Sequence, residues 1–354
     1  MEKAITVEEL LKKPDAVLVD VRTRSEYREG TIPRAINLPL FDEAERSELG
    51  ILYKMSGPEE ARFRGLSLVS PKLDQLVEAL RPYYGRELVL FCWRGGLRSQ
   101  SLTSVLNLVG FKAYYLVGGY KAYRRFVLSY LSGYNYEKKV FVVLCGLTGV
   151  GKTEVIRKLR ELGEPAIDLE ELAGHRGSVF GHIGINEKRS QKNFDALLAG
   201  ELRRFAEEKY LIVECESRRI GNIFLPPGFF QAMQRGLRIL LYDDHENRIR
   251  RLERTYLSAD CGNSSCLEEA ILHLQKHLGK RKVKLLLDYL ESKDYRKAID
   301  FLLREYYDPL YHFPEHPSSE YQFSVKTDDP ERAAQEIRNY LKNFFEEARG
   351  EKFP

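Results

Sequence analysis

At 354 residues the chain is long enough for two or three domains, each with its own core. Charged residues make up 31% and hydrophobic ones 43%, and no apolar run approaches the ~20 residues of a membrane span; this excludes a spanning helix, and no membrane partner is expected. With an opening Met1-Glu2-Lys3-Ala4 that lacks a signal-peptide core, the composition predicts a cytoplasmic protein, and a net charge of only +4 means that any polyanion must be met by local clusters.

Residues 1 to about 130 alternate short apolar runs with helical stretches. Ala16-Val17-Leu18-Val19-Asp20-Val21 reads as a buried strand and Ala35-Ile36-Asn37-Leu38-Pro39 as another. A helix is predicted over 72–80, a strand over 88–91, a helix after Ser99, and a strand over 113–117 that ends at Gly118-Gly119. This alternation predicts an α/β domain with a parallel sheet. A polar join over 131–139 leads to a second α/β domain, 140–245, with buried strands at Leu211-Ile212-Val213 and Leu237-Arg238-Ile239-Leu240-Leu241. From 246 to 354 the pattern is mainly helical, broken near Cys261 and at Asp308-Pro309.

Five cysteines, an odd number spread along the chain, argue against a disulfide framework. Cys261 and Cys266, with His273 and His277 four apart on a predicted helix, raise a zinc site. No second Cys or His pair stands beside the cysteines at ligand spacing, so a charged loop with two idle thiols is expected and no metal ligand is assigned.

Two loops carry chemistry. Leu88-Val89-Leu90-Phe91 runs into Cys92-Trp93-Arg94-Gly95-Gly96-Leu97-Arg98-Ser99. A strand feeding a tight loop that opens a helix aims successive N–H groups at one point, and the helix dipole adds positive potential there. A cysteine at the start of such a loop is predicted to be a nucleophilic thiolate. Gly95 and Gly96 let the backbone curl around an oxyanion, and Arg94 and Arg98 add charge. The second loop, Gly146-Leu147-Thr148-Gly149-Val150-Gly151-Lys152-Thr153, follows Val140-Phe141-Val142-Val143-Leu144 and matches the phosphate-loop pattern in full. Its glycines let amides wrap phosphate oxygens, Lys152 neutralises charge, and Thr153 suits Mg²⁺. Glu214 and Glu216 share one side of the strand end after 210, where a metal-orienting or basic carboxylate is expected. The cradle recognises a diphosphate, whatever hangs from it.

The residues around Cys92 resemble the rhodanese family: Asp20-Val21-Arg22, Glu26-Tyr27, Gly30, Ile32-Pro33 and Ala35–Pro39 follow its opening motif, and Leu116-Val117-Gly118-Gly119 its closing strand and turn. Thr31 stands where that motif often has His, and Arg34 where it often has Gly. The spacing Cys92-x5-Arg98 departs from single-domain sulfurtransferases, whose loop is usually one residue shorter, and matches cysteine-dependent phosphatases. Loop length alone therefore admits a phosphatase, or a transferase acting on a phosphorylated chalcogen donor.

Beyond the loops the chain resembles the tRNA 2-selenouridine synthase family along nearly its whole length. The residues that carry this are the two loops, Asp168-Leu169-Glu170, His175-Arg176-Gly177-Ser178-Val179-Phe180-Gly181, Ser190-Gln191, Glu216-Ser217-Arg218-Arg219-Ile220-Gly221 and Tyr306-Tyr307-Asp308-Pro309-Leu310-Tyr311. The resemblance implies an enzyme that acts on wobble 2-thiouridine of tRNA in two steps: S-geranylation from geranyl diphosphate, then replacement of the geranylated sulfur by selenium from selenophosphate. The phosphate loop, through Gly146, Gly149, Gly151, Lys152 and Thr153 with Mg²⁺, would hold the prenyl diphosphate. Trp93, Gly95, Gly96 and Ser99 would frame selenophosphate, with Cys92, Arg94, Arg98 and Glu216 catalytic. Trp93 would stack on a base or prenyl chain, or simply pack the loop.

Candidate tRNA or substrate contacts are His175, Arg176, Arg218, Arg219, Arg251, Lys280 and Arg281, drawn from basic clusters that include Lys188-Arg189, Arg248–Arg254 and Lys276–Lys284. A selenophosphate-producing enzyme is an expected partner. Two further readings compete: a Cys-x5-Arg phosphatase fused to a phosphate-loop kinase or NTPase, and a nucleotide-gated RNA-binding protein. Neither accounts for the family-specific blocks.

Overall fold

Two parallel sheets organise the residues that the computed structural model describes, which are 3–176, 189–257 and 264–347. The chain forms two compact units, 1–134 with 190–200, and 135–189 with 201–354.

In the first unit, β1 (Ala4–Ile5), β2 (Val17–Asp20), β3 (Ile36–Asn37), β4 (Glu87–Phe91) and β5 (Lys112–Leu116) lie in the order β1-β5-β4-β2-β3, every pair parallel. Parallel strands need crossover helices, which cover both faces, so aliphatic runs such as Leu88–Phe91 are wholly buried. The register sets Asp20 beside Phe91, the residue before Cys92.

Asp20 and Arg22 form a buried ion pair at 2.6 Å, with side chains 0% and 1% exposed. Arg22 also donates to the Gly30 carbonyl at 2.6 Å, and its guanidinium lies 4.2 Å from the Tyr120 ring centroid. Thr31 donates to the same Asp20 carboxylate at 2.8 Å, so the residue standing where the motif often has His serves this pair. Arg34, standing where the motif often has Gly, adopts a left-handed φ of 67°.

One helix pair was not legible beforehand. Residues Glu43–Val69 form two helices meeting at Gly57, whose φ of 89° lies outside the helical region, followed by Pro58. Residues 190–200 also join this unit, although their place in the sequence lies within 140–245. Asp195 pairs with Arg124 at 2.6 Å, and Asn193 accepts from the Thr31 amide at 3.0 Å. These partners are far away in sequence, and local patterning carries no trace of them.

The second unit holds β6 (Val140–Cys145), β7 (Ala166–Ile167), β8 (Tyr210–Glu214), the hairpin β9 (Arg219–Ile220) and β10 (Ile223–Phe224), β11 (Leu237–Tyr242) and β12 (Phe323–Lys326). Its parallel sheet has the order β12-β11-β6-β8-β7. The helical stretch after 245 has its own core, including Ile249, Ile271, Leu286, Leu302 and Leu303. It is not helical to the end as the pattern suggested. Phe323–Lys326 returns as an edge strand beside β11, and Ile337 and Leu341 of the last helix, Pro330–Glu347, pack with Val155 and Leu159. A four-residue strand is too short to register in a 3.6-residue pattern. Among the described residues no helix is long and apolar enough to cross a membrane.

Candidate functional site

The first candidate site grows from β4. Cys92 follows it, Gly96 caps the helix Leu97–Leu108, and Gly95 between them has φ +63°. Only glycine fits there: an added Cβ would stand 2.2 Å from the Leu116 carbonyl oxygen. The turn after β5 closes on the loop from the other side, with the Tyr120 and Lys121 amides donating to the Cys92 and Trp93 carbonyls, each at 2.9 Å. The Gly118-Gly119 turn thus supports the thiol loop directly.

Cys92 is 4% exposed, and its Sγ accepts from the Gly96 amide at 3.2 Å and the Ser99 hydroxyl at 3.4 Å. The thiol in turn faces the Gly96 carbonyl at 3.8 Å. The arginines divide. Arg94 is exposed, whereas Arg98 donates to Glu26 at 2.9 Å with its side chain 15% exposed. Burial alone would raise the Glu26 carboxyl, but the Arg98 hydrogen bond and charge hold it below the usual range. Arg98 therefore braces the loop through the opening motif. Trp93 packs against Tyr120, ring centroids 5.8 Å apart, with the Lys192 ammonium 5.9 Å from its ring.

The second candidate site grows from β6, whose last residue leads into Gly146 and then the helix Lys152–Glu161. Gly146 has φ +147°, and an added Cβ would lie 2.3 Å from the Leu241 carbonyl of the neighbouring strand β11. Lys152 folds back over the loop and donates to the carbonyls of Gly146 (2.8 Å) and Leu147 (3.3 Å). Thr153 donates to Glu170 at 3.2 Å, and the Glu170 amide donates to Glu214 at 2.8 Å.

Four carboxyl groups crowd this corner. Burial raises Glu214 well above the usual carboxylate range, and the charges of Asp168 and Glu170 push the same way. Glu216 is raised to about 8, first by burial and then by Glu170. Glu170 reaches about 7, with burial dominant and Lys152 opposing. Asp168 is raised by burial while it caps the helix Leu169–Ala173. Glu214 Oε2 is buried and has no hydrogen-bond partner among the described residues. An unpaired buried oxygen on Glu214, whose other oxygen holds the amide of the same Glu170 that Thr153 bonds, fits a divalent cation. Although these carboxyls are neighbours, no three or more such side chains among the described residues are placed to hold a metal ion by themselves, so such a cation would share its coordination with a ligand's phosphates.

Glu170 and Asp168 were missing from the residues assigned to this site, though their block stood out in the sequence. The signal was Asp168-Leu169-Glu170 directly after a buried strand. Only the pairing of β7 with β8, Ile167 opposite Val213, brings that block to Glu214.

The expected substrate contacts fall in different places. Arg251 is a correction: its side chain is 9% exposed, paired with Asp243 at 2.6 Å and Glu154 at 3.2 Å. It also donates to the Gly149 and Thr327 carbonyls, so it braces the phosphate loop and is not a surface contact. Arg248, from the same cluster, is 1% exposed and equally committed. His175 packs its ring where a Cβ on Gly221 would stand, which links two family blocks. Arg176 is half-buried, and its charge acts on Glu170. Arg218 is exposed; Arg219 is exposed but donates to the Gly221 carbonyl and the Asn222 side chain. Lys280 and Arg281 are exposed on the first turn of the helix Lys280–Glu291. Gly177–Gly181, Lys188 and Cys261 lie outside the described residues.

Known proteins match both regions of the chain. The family described as tRNA 2-selenouridine synthase AAA domain matches residues 139–347, and the rhodanese-like domain matches residues 4–126. The chain is 33% identical over 326 residues to a tRNA 2-selenouridine synthase of Shewanella denitrificans, covering 84% of this chain and 87% of that protein. Identity is 35% over 328 residues to the Bordetella bronchiseptica protein of the same name, with coverages of 84% and 88%. It is 34% over 341 residues to that of Pseudomonas syringae pv. syringae, with coverages of 88% and 92%. The chain belongs to the tRNA 2-selenouridine synthase family, a family of tRNA-modifying enzymes.

Proposed function

We propose that this protein converts wobble 2-thiouridine of tRNA to 2-selenouridine through an S-geranyl intermediate, with geranyl diphosphate and selenophosphate as co-substrates. The observation that carries the reading is the presence of two separately built anion cradles in one chain. One centres on a sulfur with two donors, and the other on a lysine beside carboxyls.

In the first step the C–O bond of geranyl C1 breaks, and its electron pair leaves with the diphosphate. The 2-thio sulfur forms the new S–C bond, and the uracil N3 proton departs. Lys152 holds the diphosphate on the amides of the phosphate loop. Thr153 and Glu214 would hold Mg²⁺, which supplies charge neutralisation for the leaving group. Glu216, raised to about 8, is the group we assign to accept the N3 proton.

In the second step selenium of selenophosphate bonds C2, and geranylthiol leaves. Water then splits the P–Se bond and releases phosphate. S-alkylation matters because it turns a poor leaving group into a good one. Cys92 and its loop guide the selenium, with the Gly96 amide and Ser99 as donors and Arg94 at the rim. Exposed Lys280 and Arg281, with Arg218, are the candidates for tRNA phosphates. The reaction is assigned to the cytoplasm, beside an enzyme that makes selenophosphate.

The test is mass spectrometry of nucleosides from 2-thiouridine tRNA incubated with the full chain, geranyl diphosphate and Mg²⁺, with and without selenophosphate. Cys92→Ala is expected to stop at geranyl-thiouridine, and Lys152→Ala to fail to accumulate it on the time scale of the wild-type reaction. Failure of both variants at the first step would overturn the division of labour. Wild-type protein that leaves 2-thiouridine untouched would overturn the function itself.

A further inference from the structure

The phosphate loop has an apolar neighbour. Adjoining Thr148, the helices of the second unit line an apolar cavity partly open to solvent, with about 50 Å³ of room for the centres of water-sized spheres. Its walls include Leu252, Leu267, Ile271, Leu290, Ala298 and Leu302, from four different helices. Apart from Thr148 the lining consists of aliphatic side chains and two tyrosines.

Two links bind this cavity to the loop. Leu252 lies 3.2 Å from where a Cβ on Gly149 would stand. Arg248 donates to the Thr148 carbonyl at 2.9 Å and pairs at 2.5 Å with Asp308, the residue after the lining Tyr307. A ligand whose phosphates lie on Gly146–Thr153 therefore has hydrocarbon next to it. A nucleoside would bring ribose hydroxyls and ring nitrogens there, and burying them without partners is unfavourable. An alkyl chain instead gains about fourfold in affinity per buried methylene.

We infer that this cavity takes the hydrocarbon chain of a prenyl diphosphate whose diphosphate rests on the phosphate loop. The inference rests on the proposed geranyl-transfer function and names the residues that choose its donor. The inner face of the helical region is the prenyl pocket, and Ile271 and Ala298 help set the chain length it accepts.

The full chain is titrated in Mg²⁺ with geranyl, dimethylallyl and farnesyl diphosphates, inorganic diphosphate and ADP. Geranyl diphosphate is expected to bind wild type at least about 30-fold more tightly than dimethylallyl diphosphate, since several more methylenes are buried. Ala298→Phe, which fills the cavity, should reduce geranyl diphosphate affinity by about tenfold or more and leave inorganic diphosphate within about twofold, which also reports folding. Ile271→Ala, which enlarges it, should move the preference toward farnesyl diphosphate. Tight geranyl diphosphate binding that neither variant changes would overturn the pocket and leave the proposed function standing. ADP binding as tightly as geranyl diphosphate, or no advantage of geranyl over inorganic diphosphate, would overturn the donor reading as well.

Discussion

The two loops share a plan, a buried parallel strand opening through glycines into a helix, yet they satisfy themselves in opposite ways. Around Cys92 the charged groups are matched, although the buried Tyr120 hydroxyl has no hydrogen-bond partner among the described residues. Gly96 and Ser99 face the sulfur, Arg98 has Glu26, and Asp20 has Arg22 and Thr31. Around Lys152 they are not, because four carboxyls share one buried corner and Glu214 keeps an orphaned oxygen. A matched site is preorganised to guide one atom. A site with surplus buried carboxyl oxygen has room for the cation and phosphates that the proposed function brings to it.

The comparison breaks most sharply at the Asp20–Arg22 pair. Asp20→Asn leaves a buried guanidinium without its counter-charge, so the first unit should lose about 3–5 kcal/mol. Chemical unfolding read separately for each unit checks this, and an unchanged first transition would show that the pair is not what holds the thiol loop. Next is Lys152→Ala, which removes the charge facing the diphosphate and should slow geranylation by roughly 10²–10³-fold. Single-turnover kinetics measure it, and the rate of selenation from preformed geranyl-thiouridine tRNA should stay unchanged.

A smaller effect comes from pH. Glu170 and Glu216 have folded-state values of about 7 and about 8, above the ordinary carboxylate value. The folded state therefore binds their protons more tightly, and the stability they contribute is full below about pH 4.5 and lost as pH rises through 7 and 8. Melting of the second unit should fall over that window, and Glu216→Gln should lessen the fall by roughly 3 °C. Mg²⁺ with diphosphate should flatten it too. A melting temperature that rises from pH 5 to 8 would contradict the unmatched corner. The smallest expected effect is at the surface. Lys280→Ala with Arg281→Ala should weaken tRNA binding modestly and make its log–log salt dependence shallower by about 1 for each phosphate left without a cation. Filter binding across salt concentrations would detect it.

Much of this was legible beforehand because it is local. Strands β2, β4, β5, β6, β8 and β11 are apolar runs ended by polar or glycine residues, and both loops are contiguous motifs. Glycines at 95 and 146 mark places where backbone meets backbone, which no other residue allows. What stayed hidden is non-local. Arg251 reads as one of four exposed arginines on a helix, yet Asp243 and Glu154 draw it inward. The strand Phe323–Lys326 and the segment 190–200 take their places only from partners distant in the chain.

By itself the amino-acid sequence determined the two α/β domains, the loop glycines, Cys92 and Lys152, and the family to which they belong, because short-range chemistry and spacing specify each of them. Only the tertiary structure decided which carboxyls meet Thr153, which arginines are braces, and where an apolar cavity adjoins the phosphate loop. Those depend on how strands are ordered in a sheet and how helices pack, and burial and charge pairing settle that order across long stretches of chain.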